Sequence, residues 1–448
     1  MTEQDNRGTS EIVDRQLMVD NPYRPGAGHL PPVLGGREGE LEFFRRSLRQ
    51  KFITENVLVT GLRGFGKTVL VEHLKLIALD QYWVWAGADL SESSSLTEER
   101  LALRVLTDVA SALARSIEDG SIRPQTLAEI IDVVPADALS EVVIFEGLSD
   151  IYQRKPGLPS DKLQAALAVA LSVIANSKLS GLVLMYDEAQ CMSDHAETNE
   201  YPLSMFIETV ATLQKNEVAA PCMLVLSGLP GVHDALTATR TYTERMFRVL
   251  KLGRLNRADT EAALHEPLDR LSPPLLPSQA LIDKAIDLSG GYPYLIQFFG
   301  KELVDQLVKE GGILPEDQFP SDDALARLDA GLFGARWNKT SEAQRDFLKV
   351  LATRPTEDTT DFSANDIAKI SLFTNSQAST MLHALAERGL VYRSRHGRYA
   401  FTVPMSESMI LGRLQSEEEL ERSWIDDIES ELQAAKDERP RKRWRWFR

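Results

Sequence analysis

Short apolar runs bounded by turn residues recur along the first half of the chain. They are Asn56–Thr60 (NVLVT), Tyr82–Ala86 (YWVWA), Leu182–Tyr186 (LVLMY), Met223–Leu226 (MLVL) and a weaker run at Arg248–Leu252 (RVLKL). Continuous apolar runs of this length suit strands that are buried on both faces of a parallel sheet. Helical patterns lie between them, as at Val69–Leu79 and Leu163–Ile174. This alternation predicts an α/β fold, and the long stretch 91–180 predicts extra helices within one crossover.

The pattern changes after about residue 256, where helical periodicity replaces the strand-like runs. We predict an extended arm, rich in Pro and Gly, over residues 1–35 and an α/β core over 36–255. A helical region over 256–335 follows, then a helix–helix–helix–hairpin module over 336–410. Residues 411–448 are predicted to form an acidic helix and a basic, aromatic tail.

Composition narrows the function classes. The chain has 448 residues and a formal net charge of −16, so contact with nucleic acid would require a local basic patch. Its two cysteines, Cys191 and Cys222, form no C-x-x-C pair and provide no disulfide framework, which favours a reducing cytoplasm. No signal peptide and no membrane-spanning run is recognisable.

One segment carries a phosphate-binding motif in the structural context that the motif requires. The segment is GLRGFGKT with the next residue, that is, Gly61, Leu62, Arg63, Gly64, Phe65, Gly66, Lys67, Thr68 and Val69. It follows a predicted strand and opens a predicted helix, so its backbone N–H groups and the helix N-terminus would face the phosphates. Lys67 would add a charge at the β- and γ-phosphates of ATP, and the Thr68 hydroxyl would bind Mg²⁺. We therefore predict ATP and Mg²⁺ as ligands.

A second acidic element ends the run GLVLMYDEAQ. Asp187 and Glu188 stand where the predicted strand stops. Asp187 would hold Mg²⁺, and Glu188 would act as the general base for the attacking water. Read alone, the pair could equally cap a helix, but the upstream phosphate motif favours the catalytic interpretation.

Two further residues are catalytic candidates. Ser227 ends the run MLVLSG, where a residue that senses the γ-phosphate or the attacking water would stand, although an ordinary turn serine fits equally well. Arg245, with Arg248 just beyond it, could reach the γ-phosphate of a neighbouring subunit in a homo-oligomer. A surface salt bridge with Glu244 is an equally good explanation for Arg245.

Together these motifs resemble the AAA+ P-loop ATPases of the origin-recognition and replication-initiator type, and the related STAND and archaeal ATPase families. The resemblance covers about residues 30–405. It implies a sheet of order 5-1-4-3-2, a helical lid, a C-terminal winged helix-turn-helix, and Arg37 near the adenine. The lid reads SGGYPY at Ser289–Tyr294 instead of carrying a sensor arginine. This looks like the Gly-x-Pro motif of STAND proteins, which would place Pro293 against the nucleotide and favours a slow switch.

The C-terminal module leaves its partner open. A winged helix could place Asn375, Ser376, Gln377 and Ser379 against double-stranded DNA, with Arg393, Arg395 and Arg398 on the phosphates. It could equally pack on a protein partner. Six of the ten residues of the tail Arg439–Arg448 are basic and three are aromatic, which suits nucleic acid, an anionic membrane surface or pairing with the acidic helix.

Three functions therefore remain open. The first is an ATPase that couples ATP binding and hydrolysis to a conformational switch. The second is a DNA-binding adaptor that ATP regulates, and the third is a protein-partner scaffold with negligible hydrolysis. A stripe of Leu420, Trp424, Ile428 and Leu432 on the acidic helix would dock on protein.

Overall fold

A computed structural model describes residues 21–415 except 27, 132–138, 216–219, 240–242, 272–274, 355–360, 396 and 404. The predicted acidic helix and tail lie outside the described residues. The chain divides into two compact units at Leu314 and Pro315. No helix in the described part of the chain is long and apolar enough to cross a membrane.

The first unit is built on a parallel sheet of five described strands. They are β1 (Asn56–Thr60), β2 (Trp83–Asp89), β3 (Gly181–Asp187), β4 (Cys222–Gly228) and β5 (Phe247–Lys251). Their order is β2-β3-β4-β1-β5, and every pairing is parallel. This is the predicted order, read from the opposite edge, and it confirms the α/β fold. All residues of β1, β3 and β4 are buried, in keeping with their continuous apolar sequences.

Helices precede and connect the strands. They are α1 (Glu38–Leu48), α2 (Lys67–Asp80), α3 (Glu92–Ser95), α4 (Glu98–Glu118), α5 (Pro124–Ile131), α6 (Glu141–Arg154), α7 (Pro159–Ala175), α8 (Pro202–Lys215), α9 (Gly231–Thr239) and α10 (Thr243–Met246). A 3₁₀ turn, Ala189–Cys191, follows β3.

The long crossover between β2 and β3 contains α3 to α7, as the sequence predicts. The Thr97 side chain caps α4 by accepting from the Arg100 N–H. Leu101, Val105 and Val109 share one face of that helix and are fully buried in the core beside the sheet. The crossover therefore thickens the layer of helices on this side of the sheet.

Helices α11 (Arg257–Asp269), α12 (Gln279–Ser289) and α13 (Pro293–Lys309) complete the first unit and correspond to the predicted lid. The arm, residues 21–35, lies on them. The Tyr23 hydroxyl donates to the Leu264 carbonyl, and the Tyr23 ring is buried against Gly300. The predicted extended arm is therefore a packed part of this unit over its described residues.

The second unit contains α14 (Asp322–Asp329), α15 (Ala335–Trp337), α16 (Glu342–Thr353), β6 (Phe362–Ser363), α17 (Ala364–Ile370), α18 (Asn375–Glu387), β7 (Val391–Arg395) and β8 (Arg398–Phe401). A further helix spans residues 406–415. Strands β6, β8 and β7 form an antiparallel sheet in that order. The sequence predicts α16, α17, α18 and the hairpin but misses β6, because two residues are too few to show strand alternation.

Candidate nucleotide-binding site

The loop between β1 and α2 has the backbone of an anion-binding turn. Gly64 and Gly66 both have φ of 82°, in the left-handed region that favours glycine. A β-carbon on Gly64 would also lie 2.7 Å from the Tyr292 hydroxyl oxygen. Gly66 is the N-cap of α2, so the first N–H groups of this helix open onto the loop. The glycines are therefore required by backbone conformation and, at Gly64, by close packing.

Lys67 is held inside this loop. Its Nζ donates to the carbonyl oxygens of Gly61, at 3.0 Å, and Leu62, at 3.3 Å. The side chain is largely buried, and burial lowers the pKa of Lys67, while the carboxylates of Asp187 and Glu188 act in the opposite direction. A buried cation under a turn of backbone N–H groups is well suited to an anion.

The acidic end of β3 meets the start of α2. Thr68 Oγ1 lies 3.2 Å from Asp187 Oδ2, and Asp187 is 5% exposed. Parallel pairing places Asp89, the last residue of β2, beside Asp187. Burial raises the pKa of Asp89, and the charges of Asp187 and Glu188 add to this effect. A hydroxyl and a buried carboxylate side by side are oxygen donors of the kind that Mg²⁺ prefers.

Glu188 occupies an unusual backbone position directly after the strand. Its φ is 52°, which is rare for a residue with a side chain. The Asp187 carboxylate accepts its N–H at 2.8 Å, and its carbonyl accepts the Cys191 N–H at 2.9 Å. The Gln190 side-chain amide donates to Glu188 Oε2. Sequence reasoning missed Gln190, since glutamine after D-E is no recognised motif.

A cavity of about 310 Å³ opens beside the loop. Its loop side consists of Gly64, Phe65, Gly66, Lys67, Thr68 and Val69. Its arm–lid side includes Arg24, His29, Pro31, Val33, Leu34, Arg37, Leu255, Ala263, Pro293, Ile296 and Gln297. The predicted residues Arg37 and Pro293 thus line the same cavity as the loop. The contribution of residues 24–34 was missed, because a Pro-rich segment carries no pattern that predicts a pocket wall.

Lid residues contact the phosphate loop directly. The Tyr292 hydroxyl donates to the Arg63 carbonyl, and the Tyr292 ring lies 4.9 Å from the Phe65 ring, centroid to centroid. The Tyr294 N–H donates to the Gly64 carbonyl at 3.2 Å. The start of α13 is therefore fastened to the loop at two backbone carbonyls. The sequence singles out Pro293 in this segment and gives no signal for Tyr292.

The remaining catalytic candidates lie in different surroundings. Ser227 is fully buried at the end of β4, and its hydroxyl has no hydrogen-bond partner among the described residues. Arg245 is exposed on α10 and does not line the cavity. Arg248 lies over the Phe43 ring of α1, 5.5 Å from its centroid. The roles of these three residues remain predictions.

The arginines predicted for the C-terminal hairpin are not equivalent. Arg398 Nε donates to Asp361 Oδ1 at 2.8 Å, and its Nη1 lies 3.3 Å from Asp366 Oδ2. The charge of Arg398 is therefore already paired with two carboxylates, which makes Arg398 less suited to bind a phosphate. The Arg395 side chain and the tail 439–448 lie outside the described part, and Arg393 has a partner within the molecule.

Comparison with known families supports the interpretation of the motifs. Residues 33–225 match the family model described as the AAA ATPase domain. Residues 330–410 match a family described only as a domain of unknown function. No curated protein matches the chain. The predicted resemblance to AAA+ P-loop ATPases is confirmed by this match over residues 33–225.

Solved structures share the fold at low sequence identity. The Walker-type ATPase Paby2304 of Pyrococcus abyssi is 15% identical, with a TM-score of 0.51 over 84% of this chain and 96% of that one. The ORC2 protein of Aeropyrum pernix, solved in ADPNP and ADP complexes, is also 15% identical. Its TM-score is 0.50 over 88% of this chain and 97% of its own. These matches establish the fold.

Proposed function

We propose that this protein is a magnesium-dependent ATPase whose nucleotide lies in the cavity between the loop side and the arm–lid side. The observation that carries the proposal is the contact between Thr68 and buried Asp187 at the mouth of a complete phosphate loop. The AAA ATPase domain match over residues 33–225 supports ATP as the substrate.

The residues present fit a bound Mg–ATP. Thr68 and Asp187 offer paired oxygen donors, so they would hold Mg²⁺, which would neutralise charge on the phosphates. Lys67 and the N–H groups at the start of α2 would hold the phosphates themselves. The Ser227 hydroxyl, which has no hydrogen-bond partner within the described part of the chain, would gain one once ligand or water reaches it, because a buried hydroxyl is costly to leave unpaired. Arg37 and Pro293 would lie beside the nucleoside.

In the proposed reaction Glu188 accepts a proton from the attacking water while Lys67 stabilises charge on the transferred phosphoryl group. Arg245 is exposed and does not line the cavity, so it would act on a nucleotide that another subunit presents. A homo-oligomer is therefore part of this proposal if Arg245 is catalytic. Ser227 would monitor the γ-phosphate from β4.

We further propose that the protein works as a STAND-like switch. Tyr292 and Tyr294 fasten the lid to the phosphate loop, so a nucleotide that reshapes the loop would also bias the lid. The Pro293 position, and the lack of an arginine in this segment, favour slow turnover over rapid cycling.

Phosphate release by the purified full-length chain tests the ATPase proposal. We expect Mg²⁺-dependent release that EDTA abolishes. Asp187→Asn should raise the Mg²⁺ concentration needed for half-maximal release by about tenfold or more, because one charged ligand is lost. Asp234→Asn, at an exposed position on α9, is the matched control. Phosphate release that does not depend on Mg²⁺ would contradict the proposal. So would an Asp187→Asn variant with the same Mg²⁺ dependence as the wild type.

A second candidate function concerns the C-terminal unit. Its order of helix, short strand, two helices and hairpin leads us to propose a winged helix that binds a partner. The N-terminal turn of α18 exposes Asn375, Ser376, Gln377 and Ser379, which are neutral. Together with the neutralised Arg398, this favours a protein partner over DNA for the module itself.

The alternative partner is double-stranded DNA, which the tail would bind. Fluorescence anisotropy on labelled duplex DNA across a salt series would decide between them, with the full chain and a variant lacking residues 439–448. Salt-dependent affinity that is lost with the tail would identify the tail as the DNA-binding element. Affinity that persists without it would turn attention to Arg393 and Arg395.

A further inference from the structure

Gln190 connects Glu188 to the end of the neighbouring strand. Its side-chain Nε2 donates to Glu188 Oε2, and its Oε1 accepts the Leu229 N–H at 3.1 Å. The NH₂ group of this amide therefore bonds to the residue after β3, and its carbonyl oxygen bonds to the residue after β4. Gln190 is only half-buried, so burial by itself does not explain why both bonds are made.

The contact lies at the most constrained point of the backbone in this region. Glu188 has φ of 52°, so the chain reverses sharply between β3 and the 3₁₀ turn that carries Gln190. Left-handed backbone at a residue with a side chain is energetically unfavourable and persists only when its surroundings hold it. Here the turn brings residues 188 and 190 together on the side facing β4.

The end of β4 is in turn bonded to the phosphate loop. The Gly61 N–H donates to the Gly228 carbonyl at 3.3 Å, one residue before Leu229. A β-carbon on Gly228 would lie 2.7 Å from Gln190 Oε1, so glycine is what allows the amide to approach. A continuous set of hydrogen bonds thus runs from Glu188 through Gln190 to β4 and then to Gly61.

We propose that Gln190 is a positioning residue for ATP hydrolysis. It fixes one carboxylate oxygen of Glu188 to the end of β4 and leaves Oε1 as the oxygen that receives the proton from water. This inference rests on the proposed ATPase function and on the role of Glu188 in it. Gln190 does not line the cavity, so in this proposal it acts through Glu188.

Gln190→Glu tests the proposal, because a carboxylate of the same shape still accepts the Leu229 N–H but repels the Glu188 carboxylate instead of donating to it. We expect kcat to fall about tenfold or more, since a loosely held base is less often in the reactive geometry. The ATP dissociation constant should change less than about threefold, because Gln190 does not reach the cavity. Ser193→Ala is the matched control, since its hydroxyl donates to the Gln190 main-chain carbonyl and not to the Gln190 side chain.

A double-mutant cycle separates positioning from a structural role. In the Glu188→Gln background, Gln190→Glu should have almost no further effect on single-turnover hydrolysis, because the residue it acts through is gone. Additive losses, unchanged turnover in Gln190→Glu, or a matching loss of ATP affinity and thermal stability would each overturn the inference.

The contact can also be tested without turnover. In selectively labelled protein, the side-chain amide resonance of Gln190, identified by its loss in Gln190→Glu, should move in Glu188→Ala. An amide resonance that stays in place would overturn the inference even in a protein that hydrolyses ATP. A wild type without Mg²⁺-dependent phosphate release would instead contradict the proposed function. The resonance shift would still show whether Gln190 contacts Glu188.

Discussion

The two sides of the cavity are built in opposite ways. The loop side comes from one continuous segment, Gly64–Val69, in which backbone conformation, charge and helix N-terminus all follow from adjacent residues. The arm–lid side is assembled from residues 24–37 and 255–297, which lie far apart in sequence. Phosphate binding needs a fixed arrangement of N–H groups and a cation, whereas a mainly apolar wall depends mostly on shape. A single substitution should therefore be enough to disable the loop side, whereas many substitutions should be tolerated on the arm–lid side.

The largest effect should come from Lys67→Ala. The variant removes the buried cation of the loop, and charge-assisted hydrogen bonds contribute about 1.5–3 kcal/mol each. Because Lys67 would bond to both the β- and the γ-phosphate, we expect ATP affinity to fall about 100-fold or more and turnover to become undetectable. Isothermal titration calorimetry and phosphate release would measure the two quantities.

Lys75→Ala, at a partly exposed lysine on the same helix, is the control for the loss of charge. Full ATP affinity in Lys67→Ala would show that the loop side does not dominate binding. The proposed difference in sensitivity between the two sides of the cavity would then be wrong.

Glu188→Gln should separate chemistry from binding on the loop side. General-base catalysis contributes about 10²–10⁴-fold, so turnover should fall by that factor. ATP affinity should stay near that of the wild type, because Glu188 does not line the cavity. Turnover that is unchanged would remove Glu188 from its proposed role, and lost affinity would make it a binding residue.

The same contrast explains what the sequence could predict. The run NVLVT, the GLRGFGKT motif and the D-E pair each combine local pattern with chemistry, and the strands and the Thr68–Asp187 contact lie where they predict. The resemblance to AAA+ ATPases supplied the strand order, because order depends on long-range pairing that no single run encodes. The segment 24–34 carried no comparable signal, since its role arises only when it packs on α11 and α13.

Individual side chains were missed for a related reason. Gln190 and Tyr292 act through hydrogen bonds to backbone or to a neighbouring side chain, and either contact requires a particular turn geometry. The place of Arg398 in a basic hairpin predicts a phosphate contact. In the structure Arg398 instead forms an ion pair with Asp361, which precedes β6. The sequence does not reveal that these two side chains are in contact.

Tyr292→Phe tests the connection between the two sides. The change removes the hydroxyl that donates to the Arg63 carbonyl and keeps the ring on Phe65. A neutral hydrogen bond contributes about 0.5–1.5 kcal/mol, so we expect ATP affinity to fall about fivefold through poorer preorganisation of the cavity. Tyr82→Phe, which is largely exposed, is the control. Equal affinity in both variants would show that the lid and the loop are not coupled through this contact.

The smallest expected effect comes from Leu34→Ala on the arm–lid side. Leu34 is half-buried and offers only apolar area, so its truncation should cost about 1 kcal/mol and weaken ATP binding about fivefold or less. Inorganic tripolyphosphate, which has no base, should bind this variant as it binds the wild type. Lys67→Ala should weaken both ligands together. Competition of each ligand against a fluorescent ATP analogue would measure these affinities. If Leu34→Ala also weakened tripolyphosphate binding, the arm would be shaping the phosphate loop, and the two sides could not be treated as independent.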